Sequence, residues 1–244
     1  MTYSSALFET GQESTEKAQI AKYASMVDQM GAKPGDHILE IGCGWGGFAE
    51  RAANTGRHVT GLTISPSQKG YADARLDGRA DIRLQDYRKA DGKFDSIVSI
   101  EMIEAVGEKF WPTYFGTLKS RLADNGTAMI QAITVPDSYF DIYRNTSDYI
   151  RHYTFPGGML LSDAIIADQA RQAGLVAKNN HAFGQDYAVT CATWATRLDE
   201  KADKIRKLGY GEEFMRNWRY YLSVCAASFA ASQTDVVQVE LTHA

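Results

Sequence analysis

A chain of 244 residues, 44% of them apolar and 23% charged, has the material for one packed domain and calls for no second. Its net charge of -4 argues against nucleic acid as a partner, because phosphate binding wants a basic surface, and it offers no global attraction to an anionic membrane. Cys43, Cys191 and Cys225 are spread too widely for a zinc knuckle or a disulfide framework, so no metal site and a reducing compartment are expected.

The first residues, Met1-Thr2-Tyr3-Ser4-Ser5, show neither a basic start nor an apolar stretch, so no signal peptide is read there. No uncharged apolar run approaches the roughly 20 residues of a membrane span, and a cytoplasmic location is the default. Ile20, Tyr23, Ala24, Val27 and Met30 lie at helical spacing and predict an amphipathic helix within 12–31, stopped by Gly31 and Pro34-Gly35. Strand-length apolar runs follow at His37–Ile41, His58–Thr63, Ile82–Leu84, Phe94–Ile100 and Thr127–Thr134. Helices near 46–55, 66–78 and 111–123 separate them, which predicts βαβ crossovers and a parallel sheet covered on both faces.

Residues 135–158 break this pattern with Tyr, Asp, Arg and Thr, Pro136, and Pro156-Gly157-Gly158; an insertion of that length is expected to be a lid or substrate loop. A helix is read at 162–173. Two strand-like runs, 176–183 and 187–196, flank Gly184-Gln185-Asp186 and predict an antiparallel hairpin closing the sheet. Helical patterning returns at 198–208 and 211–231, and Val236–Leu241 reads as a last edge strand. Lys201, Lys204, Arg206 and Lys207 form either a local basic patch or a solvated helix face.

The most informative stretch is Ile38-Leu39-Glu40-Ile41-Gly42-Cys43-Gly44-Trp45-Gly46-Gly47-Phe48. An apolar strand runs into closely spaced glycines that open a helix, as needed where backbone turns sharply and a ligand approaches a helix N-terminus. Gly42, Gly44 and Gly47 satisfy the G-x-G-x-x-G of dinucleotide sites, and Gly42, Gly44 and Gly46 equally satisfy the G-x-G-x-G of Rossmann-like methyltransferases. Glu40 favours the second, since its charge suits the cationic end of a methionine moiety and would repel a pyrophosphate. The ribose-binding acid expected about 20 residues on is absent from Gly61-Leu62-Thr63-Ile64-Ser65, leaving a hydroxyl or the Gln68 amide to substitute.

Together with Leu62–Gln68, Leu84–Arg88, Ile103–Gly107, Tyr153–Gly158 and Phe183–Tyr187, the glycine loop resembles the cyclopropane-fatty-acyl-phospholipid synthase and mycolic acid cyclopropane synthase family. The resemblance runs from Tyr3-Ser4 to Val237-Gln238. It implies an α/β, Rossmann-like class I methyltransferase fold, with a mostly parallel seven-stranded sheet and an antiparallel C-terminal hairpin. One catalytic domain would span 1–244, with 135–158 as lid and a helical part at 198–231. It also implies S-adenosylmethionine as methyl donor, a cis-unsaturated acyl lipid as acceptor, and a bicarbonate ion as base. A peripheral contact at the inner membrane surface and a homodimer are compatible with it.

Carried over by motif, the catalytic positions are Ser5, Glu104, Gln131, Ile133 and Tyr187. The cofactor-binding positions are Tyr3, Ser4, Glu40, Gly42, Cys43, Gly44, Gly46, Thr63, Ile64, Gln68, Asp86, Tyr87 and Glu101. Ser5 stands where the family commonly has Cys, and Gln131 where it has His. Glutamine cannot take up a proton as histidine can, so the implied product is a ring or a methyl or methylene branch. Glu101 is read as polar lining of the cofactor cleft or a salt-bridge partner, and Phe110, Trp111, Tyr114 and Phe115 as core or acyl-channel wall. Two other readings stay open: a methyltransferase for a small soluble nucleophile, and a cofactor-binding relative or lipid carrier without catalysis.

Overall fold

The computed structural model describes the backbone of residues 1–244 and every side chain except those of Asn179 and Asn180. Strands β1 (His37–Ile41), β2 (His58–Thr63), β3 (Asp81–Leu84), β4 (Phe94–Ile100), β5 (Leu122–Thr134), β6 (Leu175–Ala182) and β7 (Asp235–His243) form one sheet. Their order is β3-β2-β1-β4-β5-β7-β6. Only β7 runs against its neighbours; the other pairings are parallel.

Strand periodicity divides the core in two, because successive side chains point to opposite faces. Ile38, Val98 and Met129 face α1 (Thr15–Gln29), α2 (Gly47–Ala53) and α3 (Pro66–Leu76), packing with Met26, Phe48 and Leu76. Leu39, Ile97 and Ile130 face the other way. They meet α4 (Trp111–Arg121), α5 (Asp137–Asn145) and α6 (Asp163–Gln172) through Phe115, Phe140 and Ile166. With both faces covered, the central strands are near-continuous apolar runs, as parallel sheets require. Ser14, Ser65 and Ser162 cap α1, α3 and α6 by accepting backbone N–H groups that have no partner within the helix.

The hairpin expected at 176–183 and 187–196 is half replaced. The first run is β6, but Gly184–Glu200 is helix α7, so the antiparallel partner is β7. Tyr187, Val189, Thr190 and Trp194 favour strands intrinsically, yet Tyr187, Thr190 and Cys191 share one buried helical face, and packing overrides propensity. Val236–Leu241 is likewise no edge strand, since β7 lies between β5 and β6 and β6 is the edge. The segment expected as one helix at 198–208 is the end of α7 plus α8 (Ala202–Lys207), followed by α9 (Glu212–Ala230).

The insertion at 135–158 holds α5 and a wide helical turn at Ile150–Thr154. Phe140 and Tyr143 anchor it in the core, whereas Ile142 and Tyr153 stay exposed. Among the described residues no helix is long and apolar enough to cross a membrane, and no group of His, Cys, Asp and Glu is placed to hold a metal ion.

Candidate active site

The strand order reverses between β1 and β4, and open α/β sheets bind ligands outside the carboxyl ends of the strands at such a point. A cleft of about 850 Å³ lies there. It is lined by Tyr3, Ser4, Glu40, Gly42, Cys43, Gly44, Thr63, Ile64, Gln68, Asp86, Tyr87 and Glu101. Of the expected cofactor positions only Gly46 is set apart. It is the left-handed N-cap of α2, and a Cβ there would meet Ala72 at 3.2 Å, so it serves helix packing. Gly42 (φ 80°) has no room for a side chain, whose Cβ would stand 2.8 Å from Met102 Cγ. Gly44 (φ 51°) has nothing within 4 Å of that position, so its backbone opens directly onto the cleft.

Glu40 ends the strand before this loop. Its carboxylate is buried, accepts the Ala49 N–H in the first turn of α2, and leaves Oε2 without a hydrogen-bond partner. Burial pushes its carboxyl up to about 8. Thr63 Oγ1 donates to Gln68 Oε1 at 2.7 Å, which leaves the Gln68 amide donors for the cleft, and the neighbouring Ile64 is 79% exposed. An unmatched buried acceptor, main chain left open at Gly44 and an exposed aliphatic side chain fit S-adenosylmethionine: an ammonium or hydroxyl for Glu40, main-chain contact at Gly44, an adenine face for Ile64. Cys43 is buried with its thiol pushed well above the ordinary range by desolvation, a packing residue and no nucleophile.

None of the five expected catalytic residues lines the cleft, and three of them converge on Glu101. Oε1 of Glu101 accepts the Ser5 backbone N–H at 2.9 Å and Gln131 Nε2 at 2.7 Å, while Oε2 accepts the Tyr187 hydroxyl at 2.6 Å. Gln131 is aimed by a relay: its Oε1 accepts from Gln238 Nε2 at 3.0 Å, and Gln238 Oε1 accepts from Gln29 Nε2 at 3.0 Å. Glu104 and Ile133 pair with each other, the Ile133 N–H donating to Glu104 Oε1 at 2.6 Å, and Glu104 Oε2 has no partner.

Three expectations change here. The Ser5 hydroxyl donates to the Ala6 carbonyl at 2.9 Å, so it is the Ser5 main chain that serves the cluster. Tyr187 projects from the first turns of α7, stacked on Phe229 at 4.4 Å, and not from a hairpin. Glu101, expected as cleft lining, does line it but is also the acceptor on which the other side chains converge. It has φ 48°, a left-handed backbone that costs a non-glycine residue ~1–3 kcal/mol and persists only where surroundings enforce it.

Lys22 had no place in the sequence reading. It is completely buried beneath the cluster, its Nζ donating to Ser4 Oγ. Its signal was present: with Ala18, Gln19, Tyr23 and Met26 it occupies the buried stripe of α1, where a lysine is out of place unless paired. Burial lowers Lys22 to about 7, against the raising pull of Glu101 and Glu40. Glu104 is pushed up to about 8 by burial and by the Glu101 charge. Burial also raises Glu101, offset by Lys22, Tyr187, Ser5 and Gln131.

These shifts set a pH dependence of stability. Glu40 and Glu104 rise from 4.5 to about 8 in the folded chain, so it binds more protons than the unfolded chain in that window. The stability they confer is full below about 4.5 and is lost as pH rises towards 8. Lys22, lowered from 10.5 to about 7, acts oppositely and adds stability as pH rises through its own window. The melting temperature is therefore expected to fall between mildly acidic and neutral pH, and Glu104→Gln to flatten that fall. A profile that rises across this range, or a variant with an unchanged slope, would contradict the assignment.

Fold and topology together define a class I methyltransferase fold, with a cleft at the switch point and a carboxylate cluster beside it. The chain belongs to the family described as mycolic acid cyclopropane synthetase, whose pattern matches residues 1–239. It is 39% identical over 251 aligned residues to a tuberculostearic acid methyltransferase, UfaA1, of Mycobacterium tuberculosis, covering 98% of this chain and 59% of that protein. It is 37% identical over 241 residues to the cyclopropane-fatty-acyl-phospholipid synthase of Escherichia coli K12, covering 98% and 61%. The chain thus spans about three fifths of the length of these relatives. Mycolic acid cyclopropane synthase CmaA1, solved with SAH and CTAB, superposes with a TM-score of 0.91 at 26% identity, covering 98% of this chain and 89% of that one.

Proposed function

We propose that the protein uses S-adenosylmethionine to add a one-carbon unit to a cis double bond of an unsaturated acyl chain in phospholipid, giving a cyclopropane or a methyl- or methylene-branched product. What supports an acyl acceptor over a small soluble nucleophile is a continuous aromatic wall leaving the cofactor cleft. Tyr3 and Trp218 line the cleft. Tyr3 stacks on Trp194 at 5.0 Å, Trp218 meets Tyr221 at 5.5 Å, and Tyr221 meets Phe155 of the insertion at 5.6 Å. Phe155 is 42% exposed and the nearby Tyr153 64%, so the wall runs from the donor site to the surface. Phe110 also faces the cleft, whereas Trp111, Tyr114 and Phe115 are core.

In this reading the chain is a single catalytic domain and the 135–158 segment is its acyl-facing lid. Bound S-adenosylmethionine supplies an electrophilic methyl group on a sulfonium. An alkene is a poor nucleophile, so the protein's main contribution is to hold the two partners in line and close, with water excluded. The presence of CTAB in a relative's structure, and acyl lipids in relatives' names, agree with this. Leu208 (76% exposed) and Tyr210 (49%) lie beside the exposed Lys204 and Lys207 and would serve a bilayer contact. Arg206 is tied up by Asp203 and Glu212.

Purified protein with radiolabelled S-adenosylmethionine is expected to label vesicles of cis-unsaturated phospholipid and to leave fully saturated vesicles unlabelled. Equal labelling of a water-soluble amine or phenol, with none of vesicles, would overturn the acyl reading.

A further inference from the structure

The bicarbonate ion implied by the family resemblance does not fit this site. The Ser5 N–H, Gln131 Nε2 and the Tyr187 hydroxyl already converge, at 2.6–2.9 Å, on the carboxylate of Glu101. A carboxylate and a bicarbonate share a planar O–C–O group with one negative charge and two acceptor oxygens, so one cradle cannot serve both. A second anion there would meet the like charge of Glu101.

We infer that the Glu101 carboxylate is a built-in base standing where a dissociable anion would otherwise be held. This rests on the acyl-methylation reading. Three observations carry it besides the cradle. Glu101 is the member of this group that also lines the donor cleft. Its backbone is held at φ 48°, a conformation glycine adopts freely, so the chain bears strain at the one residue that delivers this side chain. Its donors are aligned from behind, Gln131 by Gln238 and Gln29.

The step balances without any further reactant. The π pair of the double bond forms the new carbon–carbon bond to the donated methyl carbon, while the pair of the broken carbon–sulfur bond stays on sulfur. The positive charge passes from sulfur to the acyl chain. Glu101 then takes one proton from that cation and becomes a neutral acid. Loss of the proton from the new methyl group closes a ring, and loss from the adjoining chain carbon leaves a branched alkene. The proton returns to solvent through the cleft and restores the carboxylate.

The test compares wild type, Glu101→Gly and Glu101→Gln in carbonate-free buffer and with added bicarbonate. Wild-type turnover on unsaturated vesicles is expected to be unaffected by bicarbonate. Glu101→Gly relieves the strained backbone and vacates the cradle. Its turnover is expected to fall roughly 100-fold or more, the scale of a lost acid–base group, and to recover at least about tenfold with bicarbonate. Glu101→Gln, whose amide still fills the cradle, is expected to be inactive and beyond rescue. Circular dichroism and thermal melting, which do not depend on the donor cleft that Glu101 lines, report folding of both variants. Independently of activity, 13C-bicarbonate is expected to show line broadening with Glu101→Gly and none with wild type.

A wild type that slows on bicarbonate removal, or that itself binds 13C-bicarbonate, would overturn the inference. So would a Glu101→Gly variant that keeps normal turnover, or that neither binds bicarbonate nor recovers with it. If the wild type labels no unsaturated lipid at all, the functional reading fails, and the bicarbonate-binding arm still decides who occupies the cradle.

Discussion

Gly44→Val is expected to lower the affinity for S-adenosylmethionine and S-adenosylhomocysteine by at least about two orders of magnitude and, separately, to lower stability. Gly44 has φ 51° with no protein atom within 4 Å of a Cβ position. Valine is stiff and β-branched, and it is forced there into a left-handed backbone that costs an L-residue ~1–2 kcal/mol. The same open space that makes the side chain sterically possible in the empty protein is where the ligand passes, so the bound state suffers a clash that the free state does not. Gly78→Val separates the two effects: its φ is 76° with nothing within 4 Å, but it lies at the far end of α3, outside the cleft lining. It is expected to lose stability and keep affinity. Calorimetry showing normal cofactor affinity in Gly44→Val, or tight binding of a nicotinamide dinucleotide by the wild type, would remove the donor site from this loop.

Lys22→Met is expected to leave the fold intact and to lower turnover on the acidic side of the pH profile, because the Glu101 carboxyl is raised further when the Lys22 charge is gone. Replacing a fully buried lysine by an uncharged thioether chain of similar length is tolerable or even stabilising, since the desolvation cost of the charge is removed. The loss lies in function. The Lys22 charge is the largest influence holding the Glu101 carboxyl down against burial, ahead of Tyr187, Ser5 and Gln131, and it also acts on Glu40. Without it Glu101 keeps its proton to higher pH, and Glu104, itself raised by Glu101, adds no compensating positive charge. The acidic limb of the pH–rate profile should therefore move upward, with turnover recovering at alkaline pH and KM for the lipid little changed. Lys22 is thus a positioning residue acting through Glu101. A uniform loss of rate at every pH, or an unchanged profile, would show a purely structural role.

The sequence carried the architecture wherever period and punctuation agreed. The first five strands and the helices between them follow from apolar runs ended by Gly, Pro and Ser, and the glycine loop with Glu40 pointed to the turn that lines the cleft. The C-terminal third was harder to read. Tyr187–Thr196 is rich in β-branched and aromatic residues, and its helical burial is decided by contacts with Phe229 and Val236, about 40 residues away in sequence. β7 reads as an edge strand only if its last place in the chain is taken for its place in the sheet. Its nearly unbroken buried run, Val236 to Val239, was the local sign of an interior strand.

For the candidate site, motif transfer pointed to Ser5, Gln131, Ile133, Tyr187 and Glu104, but Glu101, on which three of them converge, was read as cofactor-cleft lining or a salt-bridge partner. Glu101 was ambiguous in sequence because nothing local reveals a positive φ at the end of a strand, nor that residues 5, 131 and 187 point at it. Lys22 and Gln238 were missed for a related reason: a polar residue in an apolar stripe is visible, but its partner lies on another element.

The most direct test of the central claim uses S-adenosylmethionine with a fully deuterated methyl group and vesicles of a cis-unsaturated phospholipid, with NMR and mass spectrometry of the recovered acyl chains. The account predicts a new carbon–carbon bond at the former double bond. A ring would retain two of the three deuterons, and a branch formed by proton loss from the chain would retain all three. Label found on a nitrogen or oxygen, or acyl chains recovered unlabelled while the donor is consumed, would contradict it.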